Sequence, residues 1–334
     1  MKNDKDKKIV ILDIDGGGVH GIIIVHLLKE LEKLAGKDIS FVFNAYSGVS
    51  AGALIVAALN IPSETGDGVK YNADQLTKIF PSFVSKVFRR PFWYKICSLW
   101  GLIGPIYHGK SKSKAIEEFF GHVKMSEIKH HISIMSANVN HPGEVRFGIN
   151  RYFFRGVVHE NHDFYLKDTL DASSAAPIFF PTTIVKSTNT KIWFNLMDGG
   201  IITNTPALVD LVSYEKFMPE TSIYMLSIGM QSFLNTNHSK ALSWGILRWG
   251  SKLINIGFSG RSYLTVGNVA MAQQDFPNFK VFQRMIPDVP SYLQSSFDSS
   301  PQYIAKMEAF AQQYAQKAIP ELKQFLDSIQ KADG

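Results

Sequence analysis

Ser50 stands in Gly48-Val49-Ser50-Ala51-Gly52, a G-x-S-x-G arrangement. Between a strand and a helix, such a pentapeptide forces the serine onto a tight turn with its hydroxyl exposed, and Gly48 and Gly52 leave room for the neighbouring backbone. A serine hydroxyl becomes a nucleophile only with a base beside it. Asp198 is a candidate, since it follows the run Ile192-Trp-Phe-Asn-Leu-Met197 and precedes Gly199-Gly200, so its carboxylate leaves a strand end on a flexible turn. Burial would raise its proton affinity toward neutral pH and suit it to general-base work, although an ordinary Asp-Gly turn explains the same residues. The Ser, Asp, His order of an α/β-hydrolase fits poorly. One strand precedes Ser50, and of the histidines only His238, in the polar loop Asn235-Thr-Asn-His-Ser239, lies beyond Asp198.

A second cluster, Gly16-Gly17-Gly18-Val19-His20-Gly21, matches G-x-G-x-x-G after a strand and before a helix. Consecutive glycines let backbone N–H groups converge at a helix start, where they hold a phosphate or stabilise an oxyanion. Asp13 and Asp15 put negative charge where a pyrophosphate would approach, which counts against a dinucleotide. A turn that is glycine-rich for packing alone is the plainer alternative. Gly104-Pro-Ile-Tyr-His-Gly109-Lys110-Ser111 matches the P-loop pattern, but no clear buried strand precedes it and Pro105 removes an amide from the cradle. Lys110, Lys112 and Lys114 read there as a solvated helix start.

These residues need a scaffold. Ile9 to Leu12 is a short apolar run that reads as a buried strand, and Ile22 to Ala35 repeats apolar residues at helical spacing. Ser40 to Tyr46 is β-prone, and Ala53 to Leu59 is an apolar helix buried all round. Strand, glycine turn and helix therefore occur twice, which argues an α/β layered fold with a largely parallel sheet. Further strands are expected at His131 to Val139, Lys191 to Met197 and Ser222 to Ile228, and a last helix at Gln302 to Ile329, broken by Pro320.

The 334 residues are 45% hydrophobic and 19% charged, a balance that excludes both a disordered chain and a polytopic membrane protein. The single cysteine, Cys97, forms no intramolecular disulfide, and no Cys/His cluster has metal-ligand spacing. A net charge of +6 permits attraction to anionic lipid or nucleic acid, but no nucleic-acid motif is recognisable. Asp13 and Asp15 interrupt the first apolar run, so no cleavable export leader is expected. No apolar stretch reaches spanning length, so membrane contact is expected to be peripheral. Two segments suit a lipid interface: Phe80 to Tyr107, with Phe83, Val87, Phe88, Phe92, Trp93, Tyr94 and Trp100 among Lys86, Arg89, Arg90 and Lys95, and the stripe Leu242, Ile246, Trp249, Leu253 and Ile256. A buried aromatic cluster and a core-facing helix are the alternatives.

Taken in order, Asp15-Gly-Gly-Gly-Val-His-Gly21, Gly48-Val-Ser-Ala-Gly52, Asp171-Ala-Ser-Ser-Ala-Ala-Pro177 with Phe179-Phe-Pro181, Asp198-Gly-Gly200, and Asn204-Thr-Pro206-Ala207 resemble the patatin-like phospholipase family, to which the cytosolic phospholipase A2 catalytic domain is related. The resemblance implies a layered α/β sandwich with a central, mostly parallel sheet flanked by helices, in one domain over residues 7–330. It implies Ser50 as nucleophile, Asp198 as its sole partner, and the amides of Gly16, Gly17 and Gly18 as the oxyanion hole, supported by His20, Gly48, Gly52, Gly199 and Gly200. No histidine base, calcium, other metal or cofactor is implied. Two positions depart from the family pattern: His20 stands where Arg or Lys is usual, and Asn204-Thr205-Pro206 where Asn-Asn-Pro is usual. The implied substrate is a phospholipid or lysophospholipid at a membrane surface, with a catalytically idle lipid-binding module on the same fold as the alternative. Location is expected to be cytoplasmic and peripheral at membranes, with leaderless export also open; the sequence is silent on oligomeric state.

Overall fold

β1 (Lys8–Ile14) divides its side chains between two apolar layers, as a strand buried on both faces must. Val10, Leu12 and Ile14 face a large core with α1 (Gly21–Ala35), while Ile9 and Ile11 face a smaller one. The computed structural model describes residues 8–89, 104–141, 143–148, 162–229, 262 and 264–331. His238 and its loop, the stripe from Leu242 to Ile256, and Phe92, Trp93, Tyr94, Trp100, Arg90 and Lys95 lie outside the described residues.

The eight described strands form one sheet in the order β5-β6-β3-β2-β1-β7-β8, with β4 also paired to β3. β2 (Ala45–Val49), β3 (His131–Asn138), β7 (Ser222–Ile228) and β8 (Phe279–Met285) run parallel to β1. β4 (Gly143–Gly148), β5 (Thr183–Lys186) and β6 (Trp193–Asp198) are antiparallel to their neighbours. The sheet is thus parallel through its middle, as expected, and mixed at one end. α2 (Ala51–Ala58) is fully buried, α3 (Ala73–Val87) packs on α1, and α4 (Lys110–Phe120) packs on α3 and α5 (Leu166–Ser173). α6 (Ala207–Phe217) joins the smaller core, and α7 (Pro301–Lys317) and α8 (Ile319–Gln330) cover α1. Pro320 separates those last two helices as its ring requires, because it sits in the first turn of α8.

Two expectations are corrected. The β-prone run Ser40 to Tyr46 begins instead as a short turn, Ile39–Phe41, and the strand starts at Ala45. The Tyr46 hydroxyl reaches back to the carbonyls of Ile39 and Phe43, at 3.1 and 3.2 Å, and closes that turn beside β1. Phe83, Val87 and Phe88 are interior residues rather than a lipid-facing surface. Phe88 packs on Tyr107, Phe180 and Phe297 with ring centroids 5.6–5.8 Å apart, within the range where aromatic edges and faces attract.

One row of the sheet is polar across five strands: Ser133, Ser47, Asp13, Ser227 and Arg284 occupy paired register positions. Ser47 and Ser227 donate to Asp13 at 2.9 and 2.5 Å, and Arg284 donates to both carboxylate oxygens of Asp15 and to Ser227. The charge that argued against a pyrophosphate is therefore answered from within the protein. Burial, with the charge of Asp15, pushes the Asp13 carboxyl up to about 7 against the pull of Ser227 and Arg284. Arg284→Met would leave buried carboxylates without their cation, and we expect it to cost about 3–5 kcal/mol in urea unfolding at pH 7.5. The loss is expected to shrink at pH 5.5, where the raised Asp13 carboxyl takes up a proton; a loss under about 1 kcal/mol at pH 7.5 would contradict this role for Arg284.

Candidate active site

The chain leaves β2 at Val49 and enters α2 at Ala51, so Ser50 alone makes the turn. Its backbone has φ 54° and ψ −121°, a conformation that L-residues adopt at a cost of about 1–3 kcal/mol. Close approach on both sides holds it there. A Cβ on Gly48 would lie 2.6 Å from the Gly52 carbonyl carbon, and one on Gly52 would lie 2.7 Å from the Asp15 carbonyl oxygen. The Ser50 amide donates to the Ser173 hydroxyl at 3.1 Å, and that hydroxyl donates to the Met135 carbonyl at 2.6 Å.

Asp198 ends β6, opposite Ser136 of β3, and its amide donates to the Ala175 carbonyl at 3.0 Å. Its Oδ1 accepts from the Gly200 amide at 2.9 Å, and the Ser50 side chain lies near enough to favour the charged form of the same carboxyl. The following Gly199 is pressed against Met135, where a Cβ would come within 2.5 Å of the carbonyl oxygen. Burial pushes the Asp198 carboxyl up to about 6, against the nearby Ser50 side chain, the hydrogen bond from the Gly200 amide and the positive charge of Lys112. The arrangement is an alcohol on a strained turn beside a buried carboxyl whose basicity is shifted toward neutrality.

Gly16, Gly17 and Gly18 follow β1 and lead through the turn Gly18–His20 into α1. A Cβ on Gly16 would stand 3.0 Å from Ser50 Cβ, so the loop passes directly beside the hydroxyl-bearing turn. Asp15 and Val19 donate their amides to Ile228 and Ser296, at 3.0 and 2.9 Å. Among the described residues, the amides of Gly16, Gly17 and Gly18 take no backbone acceptor. Gly18 has φ +58°, which favours glycine, and a side chain there would strike the Ser296 carbonyl.

His20 does not reach Ser50; it braces the loop from behind. It is fully buried, with Nε2 2.7 Å from the Leu293 carbonyl and Nδ1 3.0 Å from the Gly17 carbonyl and 3.3 Å from the Ser296 hydroxyl. Burial holds its pKa below the ordinary imidazole value, against the two carbonyls, which favour the cation. Both ring nitrogens stand against carbonyl oxygens, so a neutral ring donates to one of them and only a charged ring to both. Asn204 ties the loops together, donating to the Gly16 carbonyl at 3.4 Å and to Ser262 at 3.1 Å, while the neighbouring Thr205, at the departing position of the motif, is buried and donates to Ser262 at 3.2 Å.

The P-loop alternative falls away on geometry. The amides of Ile106 and Tyr107 are committed to the carbonyls of Ile178 and Phe179, both at 2.8 Å, so they cannot cradle a phosphate. The solvated helix start needs a correction as well. Lys110 and Lys114 are exposed, but Lys112 is buried, because helical spacing sets it on the same face as Ala115, Ile116 and Phe120. That spacing was the available signal for Lys112. Ser173 and Asn204 lie within the motifs already quoted, whereas nothing local in β8 pointed to Arg284.

A model of the patatin-like phospholipase family matches residues 12–211, well over half of the chain. The chain belongs to the patatin-like phospholipase family. Among the family's curated relatives, patatin-like protein 1 of Arabidopsis thaliana is 28% identical over 273 residues, covering 72% of this chain and 64% of the relative. Patatin-like protein 2 of Oryza sativa subsp. indica is 29% identical over 280 residues, covering 74% and 67%. The chain thus spans about two thirds of the length of these relatives. In fold it is similar to human GIVD cytosolic phospholipase A2, with a TM-score of 0.50 at 10% identity, covering 99% of this chain and 61% of that one.

The raised Asp198 carboxyl has a pH consequence. Below about 6 it holds a proton and cannot take one from Ser50. Capture of Ser50 by a fluorophosphonate is expected to rise through a midpoint near pH 6 and level off above pH 7, as followed by intact-protein mass. A midpoint near 4, the ordinary carboxylate value, would contradict the burial of this group.

Proposed function

We propose that the chain is a serine lipid acyl hydrolase, a phospholipase A or lysophospholipase, that cleaves fatty acyl esters of glycerophospholipids through Ser50 and Asp198. The observation that carries this reading is a serine on a strained turn beside a buried carboxyl whose pKa is pushed up to about 6. Ser50 Oγ attacks the ester carbonyl carbon as Asp198 accepts its proton. The amides of Gly16, Gly17 and Gly18 receive the oxyanion of the tetrahedral intermediate. Collapse expels the alcohol, which takes the proton back from Asp198, and leaves Ser50 acylated. Water, activated by the same carboxylate, releases the fatty acid and restores the hydroxyl.

The reaction takes place at a membrane surface, where the protein acts peripherally. Among the described residues no helix is long and apolar enough to cross a bilayer, and the net charge of +6 favours approach to anionic headgroups. Ser50→Ala is expected to lower fatty-acid release from phosphatidylcholine vesicles or lysophosphatidylcholine micelles by about 10³-fold or more, while leaving sedimentation with the vesicles unchanged. Release that survives the substitution would sink the assignment of Ser50. Wild-type protein that binds lipid and releases nothing would mark an idle lipid-binding module instead.

A further inference from the structure

Lys112 is a buried cation with no place in the reaction as written above. Its side chain is 1% exposed, and its ammonium lies 2.5 Å from the Asp171 carbonyl, 3.0 Å from Asp171 Oδ1 and 3.4 Å from the Ser174 hydroxyl. The Phe180 ring stands 5.1 Å away on another side. Two hydrogen-bond acceptors and a paired carboxylate are the environment of a charged ammonium, although burial works to lower its pKa.

The position of those acceptors matters more than their number. They belong to the C-terminal end of α5, where unpaired helical carbonyls concentrate negative potential and a cation is stabilising. That short stretch carries both backbone supports of the site: Ser173 accepts the Ser50 amide, and the Ala175 carbonyl accepts the Asp198 amide. Lys112 therefore fastens α4 to the segment that holds both groups.

The charges around it fall into two sets. The ammonium pairs with Asp171 of α5, and its charge also acts on Asp198 of β6. Asp171 is itself held by the hydroxyls of Ser113 and Thr183, at 3.0 and 3.2 Å, and Asp168 lies one turn back on α5. The remaining acids of α4 are engaged outward, Glu117 with Lys167 and Glu118 with Lys86 and Lys114. Among the charged groups acting on Asp198, Lys112 is the cation, and no surface counter-ion substitutes for it in the interior.

We propose that Lys112 is a positioning residue, whose buried ammonium fastens the C-terminal end of α5, and with it the backbone supports of Ser50 and Asp198, and supplies the positive charge on that side of the site. This rests on the reading of Ser50 and Asp198 as the reacting pair. Asp171 and Asp198 compete for the same positive charge, so removing the ammonium and removing its other partner shift Asp198 in opposite directions.

The test is the pH dependence of fluorophosphonate capture at Ser50 in the wild type, Lys112→Met and Asp171→Asn, each checked for folding by circular dichroism. Lys112→Met is expected to move the acid midpoint upward by about one unit, a loss of about tenfold in capture rate well below the midpoint, with the alkaline plateau restored to within a few-fold. Asp171→Asn is expected to move the midpoint downward, since the ammonium then faces Asp198 alone. A packing role would lower the plateau without moving the midpoint, and that outcome overturns the proposal. If Lys112→Met fails to fold, the downward shift in Asp171→Asn decides, and an unmoved midpoint there overturns it. Absence of capture in the wild type overturns the reacting pair itself, whereas capture with unmoved midpoints overturns only the role of Lys112.

Discussion

The burial of the Asp198 carboxyl beside the Ser50 turn is the constraint on which the proposed chemistry depends. In water, an aspartate is too weak a base to activate an alcohol. Buried beside the alcohol, it is held closer to neutrality while its remaining lone pairs keep hydrogen-bond donors. The carboxyl therefore has to be almost dry without being abandoned, which only a rigid surround achieves. Too much solvent would return it to an ordinary carboxylate, and too little compensation would leave it protonated and idle.

The sheet supplies that rigidity. Ser50 follows the end of β2 and Asp198 ends β6, and β3 lies between those strands, paired with β2 on one flank and with β6 at Ser136. The strained turn at Ser50 stores about 1–3 kcal/mol, which the surrounding fold must offset. Full burial of α2 and the close backbone contacts at Gly48, Gly52 and Gly199 account for the absence of any relaxed alternative. On the sheet's other face, the polar row from Ser133 to Arg284 anchors Asp15, and Asp15 leads straight into the glycine loop. Two buried cations thus serve two loops: Arg284 behind the glycines, and Lys112 behind the helix end that carries the supports of Ser50 and Asp198.

Much of this was legible in the sequence, because the elements concerned announce themselves locally. G-x-S-x-G, the triple glycine and Asp-Gly-Gly each need an unusual backbone, and unusual backbone requires particular residues. β1, β7, α1, α2 and the break at Pro320 followed from periodicity and proline geometry. What escaped was set by tertiary partners. β4 and β5 are pinned by pairing with β3 and β6 rather than by strong apolar patterns. Phe83 and Phe88 read equally well as lipid-facing until Phe119 and Phe120 close over the first and Tyr107, Phe180 and Phe297 over the second. Lys112 was misread because a lysine between lysines suggests solvent, whereas its helical register with Ala115 and Ile116 placed it inside. Arg284 lies 269 residues from the aspartate it neutralises, and no local pattern spans such a distance.

Reaction of the wild type and of Asp198→Asn with a fluorophosphonate at pH 7.5, with the modified peptide located by mass spectrometry, probes the proposed pair most directly. The asparagine keeps the shape of the carboxyl and removes its ability to accept a proton. Modification at Ser50 in the wild type and a rate at least about 10³-fold lower in the variant is the result expected here. Equal rates in the two proteins, or modification at another residue, would contradict it.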